Sequence, residues 1–291
     1  MTLSQSVSQS TPESFSWASW ELDHPEILLL ILVAQVGYLL LVGPMRGLFV
    51  TADLVKPKTS QIVLFTLGIL VLFIADTGPI HRLSEDYLFS AHMLQHVLMT
   101  LVAPPLLLLG TPAWLVRPLI QTSTMGYVAR FVTSPIFAFS LFNAVFALWH
   151  LPPLYEEANR RLVIHIVQHL SMISTAMLMW WPLASPLPEL PRSSPPFRIL
   201  YIFLLPVAQI IVFGPIVFSN KILYPFYAEA PRLWGLTPLA DQQIGGALMK
   251  IVSTAIFLIA ISVIFFRWFA SEEAQERKER VPRYGEEYSE E

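Results

Sequence analysis

The chain has 291 residues, 54% of them apolar and only 13% charged, with a mean hydropathy of +0.57, which lies outside the range of soluble globular domains. A net charge of -3 and the lack of a basic run exclude a nucleic-acid partner and leave membrane lipid as the expected surroundings. The absence of cysteine rules out disulfides, thiolate metal sites and thiol catalysis, so any soft metal must be held by His and Met.

Residues 1–25 are polar, rich in Ser and Thr, carry Glu13, Glu21 and Asp23, and read as a flexible tail ending at an interfacial Trp17/Trp20 pair. No Lys or Arg precedes Arg46, so the first apolar segment lacks the basic flank of a cleavable signal and is expected to be retained. That segment runs from about residue 26 to 42 and stops at Gly43-Pro44; a second runs from about 60 to 76. Thr77 to His81, built around Gly78-Pro79, reads as a turn. A third segment, about 87 to 109, contains Pro104-Pro105, which must bend it or end its regular hydrogen bonding. The fourth, about 134 to 151, finishes in Trp149-His150, and the fifth covers about 161 to 183. After a proline-rich linker come a sixth segment, about 197 to 219, broken by Pro206 and Gly214-Pro215, and a seventh, about 241 to 268. Segments of about 17 to 25 residues match a hydrocarbon core about 30 Å thick. The expected fold is all-α: a polytopic bundle of seven transmembrane helices (26–269), between an extracytoplasmic tail (1–25) and a charged cytoplasmic tail (270–291) read as a solvated helix or disordered chain.

Basic residues set the orientation. Twelve Lys and Arg fall on one side of this arrangement and five on the other, with Lys250 inside the seventh segment, which predicts N-outside and C-inside. His92 and His96 then open the third segment, His150 ends the fourth, and His165 and His169 open the fifth, all on the outer side. Asp76 and His81 lie beside them, and His24 belongs to the same surface. Ionisable groups in a membrane usually face a bundle interior or a wet cavity, so this layer is the candidate site.

Its chemistry follows from spacing. His92, His96 and Met99 stand at i, i+4 and i+7, one face of a helix, and His165, His169 and Met172 repeat the pattern. Imidazole with thioether and no carboxylate in the stripe favours copper, as Cu(I), over zinc. His-x-x-x-His is also the spacing of zinc proteases, but Met93 and Ile166 stand where their glutamate base would be, and Gln95 and Gln168 do not titrate, so no enzyme is expected. A single haem between the third and fifth segments is another ligand for these imidazoles, and a Soret band would reveal it. Histidines that merely hydrogen-bond between helices, with Met filling gaps, are the plain structural alternative. Asp76 either orients an imidazole or marks a helix end. Asp241 reads as the N-cap of the last segment, Gly245-Gly246 as a close helix crossing, and Lys250 as a cation that snorkels outward or pairs with Asp76.

Several stretches together resemble the CtaG-type family of seven-span bacterial cytochrome c oxidase assembly proteins: Ala91 to His96, Pro104-Pro105-Leu106, Leu109 to Pro112, Leu148 to Pro152, His165 to His169 with Trp180-Trp181-Pro182, and Asp241 to Met249. The likeness covers roughly residues 60 to 268. It implies a bacterial cell-membrane protein that works with cytochrome c oxidase subunits and supplies copper to an oxidase metal centre. It also implicates His92, His96, His150, His165 and His169, and more distantly Asp241 and Met249. Lys250 departs from the family pattern, which has an aromatic residue there. A second copy of the chain is a further candidate partner; a metal-free scaffold for oxidase subunits and a single-haem protein are the alternative functions.

Overall fold

A computed structural model describes residues 15–17, 25–48 and 56–287, with side chains described to residue 278. His24, Trp20 and the three acids of the N-terminal tail lie outside the described residues. Among those described there is no strand. The principal helices are α1 (Pro25–Val42), α2 (Thr59–Asp76), α3 (Gly78–Asp86), α4 (Phe89–Val97), α5 (Ala103–Gly110), α6 (Ala113–Val116) and α7 (Ser123–Val132). They continue as α8 (Pro135–Trp149), α9 (Pro152–Arg160), α10 (Leu162–Ala184), α11 (Pro195–Ala208), α12 (Ile210–Phe218), α13 (Pro225–Glu229) and α14 (Pro238–Glu287).

Six stretches are long and apolar enough to cross a membrane: α1, α2, Phe89–Gly110, α10, Pro195–Phe218 and the Pro238–Lys278 part of α14. A seventh results if α7 and α8, bent by 62° at Thr133-Ser134, form one broken span. The chain is thus a multi-pass membrane protein. Its outward faces carry large apolar side chains such as Ile211, Phe218 and Ile251, which lipid covers at no cost where water would not. α8 has 15 residues and rises only about 22 Å, short of a full hydrocarbon core.

The turn expected at Thr77 to His81 is instead the start of α3. Thr77 is extended, Gly78 takes φ +68°, and Pro79 then presets the helical φ of the first turn, so the same residues that suggest a stop begin a helix. As a result His81 and Glu85 share one helical face.

The third segment passes straight through its two prolines by changing its hydrogen bonding just ahead of them. Leu98–Val102 winds as a π turn, with the Ala103 N–H donating to Leu98 O. Pro104 has no N–H, so Thr100 O loses its helical donor; the Trp180 indole of α10 donates to it instead at 3.0 Å, tying the two helices together. A second break, at Gln209 between α11 and α12, lies just past Pro206. The Pro206 carbonyl accepts from Lys250 Nζ at 3.0 Å, so Lys250 neither snorkels outward nor pairs with Asp76. The charged tail continues α14 as helix through Glu287.

α14 packs on α4 along one side and on α11 and α12 along another. Gly245 and Gly246 make this possible: a Cβ at Gly245 would stand 2.5 Å from the buried Phe89 ring, and one at Gly246 would stand 2.8 Å from Ile216 and Val217. The expected close crossing is therefore present. Gly245→Ala should cost about 1–3 kcal/mol through overpacking, measured as a lower midpoint of thermal denaturation in detergent.

Candidate metal centre

α4 and α10 begin, and α8 ends, at the same end of the bundle, and this brings five imidazoles from three helices into one buried group. None is more than 7% exposed. His92, His96 and His169 each offer a ligand atom within 4.8 Å of the others. His92 Nε2 and His96 Nε2 are 2.9 Å apart. Around this trio, the His165 ring lies 4.2 Å from that of His169, and the His150 ring 5.9 Å from that of His96. The i, i+4 spacing places each pair; the packing of α10 near α4, through the Trp180 bond and the contact of α10 with α5, brings the pairs together.

The partners of each ring fix where its lone pair points. His150 Nδ1 lies 2.6 Å from Phe146 O, and a carbonyl can only accept, so Nδ1 carries the proton. Its Nε2 is buried, unprotonated and without a partner. His169 turns Nδ1 toward Asp76 Oδ1 at 3.5 Å, leaving Nε2 buried and without a partner. Tyr227 Oη donates to Ser84 O at 2.7 Å, so at its 3.1 Å contact with His92 Nδ1 the imidazole is the donor, and His92 Nε2 is a lone pair that accepts from His96 Nε2 at 2.9 Å. Burial keeps the Tyr227 hydroxyl protonated by raising its pKa well above the usual phenol range. In His150 one nitrogen is thus anchored through its N–H and the other is free, the arrangement that metal-ligating histidines adopt. The chemistry of the donor set fits a metal ion bound by neutral imidazoles.

Asp76 is buried against the end of α2, where its Oδ1 also accepts from Gln95 Nε2 at 3.0 Å; Gln95 Nε2 is in turn 3.3 Å from His81 Nδ1. Asp76 thus faces the His169 ring and bonds Gln95, in addition to ending α2. Asp241 caps a different helix from the one expected. It accepts from the backbone N–H groups of Phe89 and Ser90, at 2.7 and 3.1 Å, and from the Ser90 hydroxyl, so it closes the N-terminus of α4. The cap of its own helix is Thr237, whose hydroxyl accepts from Ala240 N. At the end of α8, Tyr224 donates to His150 O, and Trp149 donates to Ser171 Oγ of α10.

The two methionines of the stripes pack in the apolar clusters beside the layer. Met172 is fully buried in the main core with Phe89 and Met93. Met99 packs in a smaller cluster with Ile69, Leu72 and Leu107, because the π turn begins at Leu98 and alters the 3.6-residue register before it. Met99 nevertheless lines a cavity of about 680 Å³ together with Asp76, His81, His165 and His169. Met249 is buried beside His96, where the two line a small void with Gln209 and Ser253.

The family model described as cytochrome c oxidase caa3 assembly factor matches residues 36–271. The chain belongs to this family. The matched region contains all five clustered imidazoles, Asp76 and Asp241, and the resemblance read from the sequence is borne out. Two uncharacterized proteins, one from Mycobacterium bovis and one from Mycobacterium tuberculosis, are each 23% identical over 197 residues, covering 62% of this chain. The chain spans 30% of the length of each of these curated relatives. No solved structure matches it.

The candidate site includes residues that sequence reasoning missed. Glu85 Oε1 lies 3.4 Å from His165 Nε2 and 4.0 Å from His92 Nδ1. Burial, with the neighbouring Asp86 and Asp76 carboxylates, pushes the Glu85 carboxyl up to about 8. Its signal was present as His81 and Glu85 at i, i+4, hidden by reading Gly78-Pro79 as a turn. Tyr227 lies 135 residues from His92, in a five-residue helix, and no local pattern announces it.

Proposed function

We propose that this member of the cytochrome c oxidase caa3 assembly family binds Cu(I) in its imidazole layer and delivers it by ligand exchange to a metal centre of the client oxidase. In this reading α7 and α8 form one broken span, making seven, and the loop charges orient the chain N-outside and C-inside in the bacterial cell membrane. The layer then lies toward the outer face. One observation carries the reading: three buried imidazoles from two helices converge, with a ligand atom of each within 4.8 Å of the others. Neutral imidazoles ligate a soft cation without contributing charge of their own, and the layer's further rings, His150 and His165, offer nitrogens through which the ion can move stepwise. Transfer of this kind makes and breaks only metal–ligand bonds, so no catalytic group is required.

The test is a Cu(I) titration of the purified protein against a competing chelator, run beside a variant with His92, His96, His165 and His169 changed to Ala. The wild type should hold stoichiometric Cu(I), and the variant should insert but hold none. A variant that still carries stoichiometric copper overturns the site. A wild type that binds none overturns copper delivery and leaves a metal-free scaffold for oxidase subunits.

A further inference from the structure

A buried ion that is cargo needs a way out; His92 and His96 are closed off, while His169 and His165 border the cavity of about 680 Å³. A polar side chain that reaches from this layer toward the surface is Glu85. Its side chain is 22% exposed, against 8% for His165 and none for His92. Its Oε1 is buried and, among the described residues, accepts no hydrogen bond, although it faces two imidazoles. A carboxyl oxygen in that position is costly to bury without a hydrogen-bond partner or a cation.

The distance from Glu85 Oε1 to His165 Nε2 is informative. At 3.4 Å it is too long for an N–H···O hydrogen bond, which falls near 2.7–3.2 Å. Two ligand atoms each about 2.0–2.1 Å from a shared ion stand about 3.4 Å apart at a near-tetrahedral angle. His165 in turn stacks close to His169, with ring centroids 4.2 Å apart, so an ion held by Glu85 and His165 adjoins one of the trio.

We propose that Glu85 and His165 form a second, peripheral metal subsite, through which the ion enters and leaves the three-imidazole group. This rests on the copper reading above and adds a route to it. The oxygen ligand suits the role because a soft cation binds it more weakly than it binds imidazole, so the subsite holds the ion briefly while the trio stores it. The cation's charge and the carboxylate's cancel at the step where the ion is least enclosed.

The experiment separates storage from exchange. Full-length protein in detergent is loaded with one equivalent of Cu(I), equilibrium affinity is measured by chelator competition, and release to excess chelator is followed by stopped flow. Glu85→Ala should keep the affinity for the first equivalent within about threefold and slow release at least tenfold; Glu85→Asp should recover part of the rate. Glu85→Gln, which keeps size and polarity, should release as slowly as the alanine variant, and it replaces that variant if the latter does not fold. Unchanged release in Glu85→Gln overturns the subsite, as does loss of the first equivalent, which would make Glu85 a storage ligand. A wild type without bound Cu(I) instead removes the copper reading itself, a different result from a wild type and variants that bind and exchange alike.

Discussion

Changing Asp76 to Ala should weaken Cu(I) binding by about 10- to 100-fold while leaving the helices in place, in line with the usual loss when the hydrogen-bonded partner of a metal-ligating histidine is removed. Asp76 faces His169 Nδ1 at 3.5 Å, and through Gln95 it braces the adjoining His81. Without the carboxylate the His169 ring loses the charge that faces its Nδ1 side and Gln95 loses its acceptor, so the ring is less firmly held toward His92 and His96. Asp76→Asn keeps an acceptor for Gln95 but removes the charge facing His169, so it should fall between wild type and Asp76→Ala. Chelator competition reads the affinity, and a thermal midpoint in detergent reads the fold. If affinity stays within twofold of wild type while the midpoint drops, Asp76 serves the packing of α2 alone.

The largest loss of stability is expected at Asp241. Its carboxylate, 1% exposed as a residue, serves three donors at the start of α4, the helix that carries His92 and His96. Asp241→Ala leaves two backbone N–H groups and a hydroxyl without an acceptor. At about 1–3 kcal/mol for each buried group so stranded, partly relieved by rotation of the Ser90 hydroxyl, the net cost is about 3 kcal/mol. Thermal denaturation should show a clearly lower midpoint, with a smaller drop for Asp241→Asn, which retains one acceptor oxygen. A change indistinguishable from wild type would mean that α4 is held by Gly245 and the Phe89 contact, with the cap contributing little.

Much of the site was legible because helical periodicity is a local property. Two His-x-x-x-His pairs on apolar segments face one way whatever else the chain does. The close crossing at Gly245-Gly246 was legible for a similar reason, since small residues permit backbones to approach. What was hidden depended on partners remote in sequence. Asp241 looks like an N-cap of its own helix until α4 is seen across from it, and Lys250 looks free to snorkel until the break at Gln209 sets the Pro206 carbonyl before it. Gly78-Pro79 is ambiguous in principle: a glycine at positive φ followed by proline can end one helix or begin the next, and the choice decides whether Glu85 faces the imidazoles.

The sequence by itself determined a helical membrane protein with a soft-ligand layer, because hydropathy, segment length and 3.6-residue spacing act within each segment and need no knowledge of its neighbours. Only the tertiary structure decided which imidazoles converge, which nitrogen of each is free, and that Asp76, Asp241, Tyr227 and Glu85 surround them. Those features are distances between helices, and they arise from how α4, α10 and α14 pack against one another, which no single segment encodes.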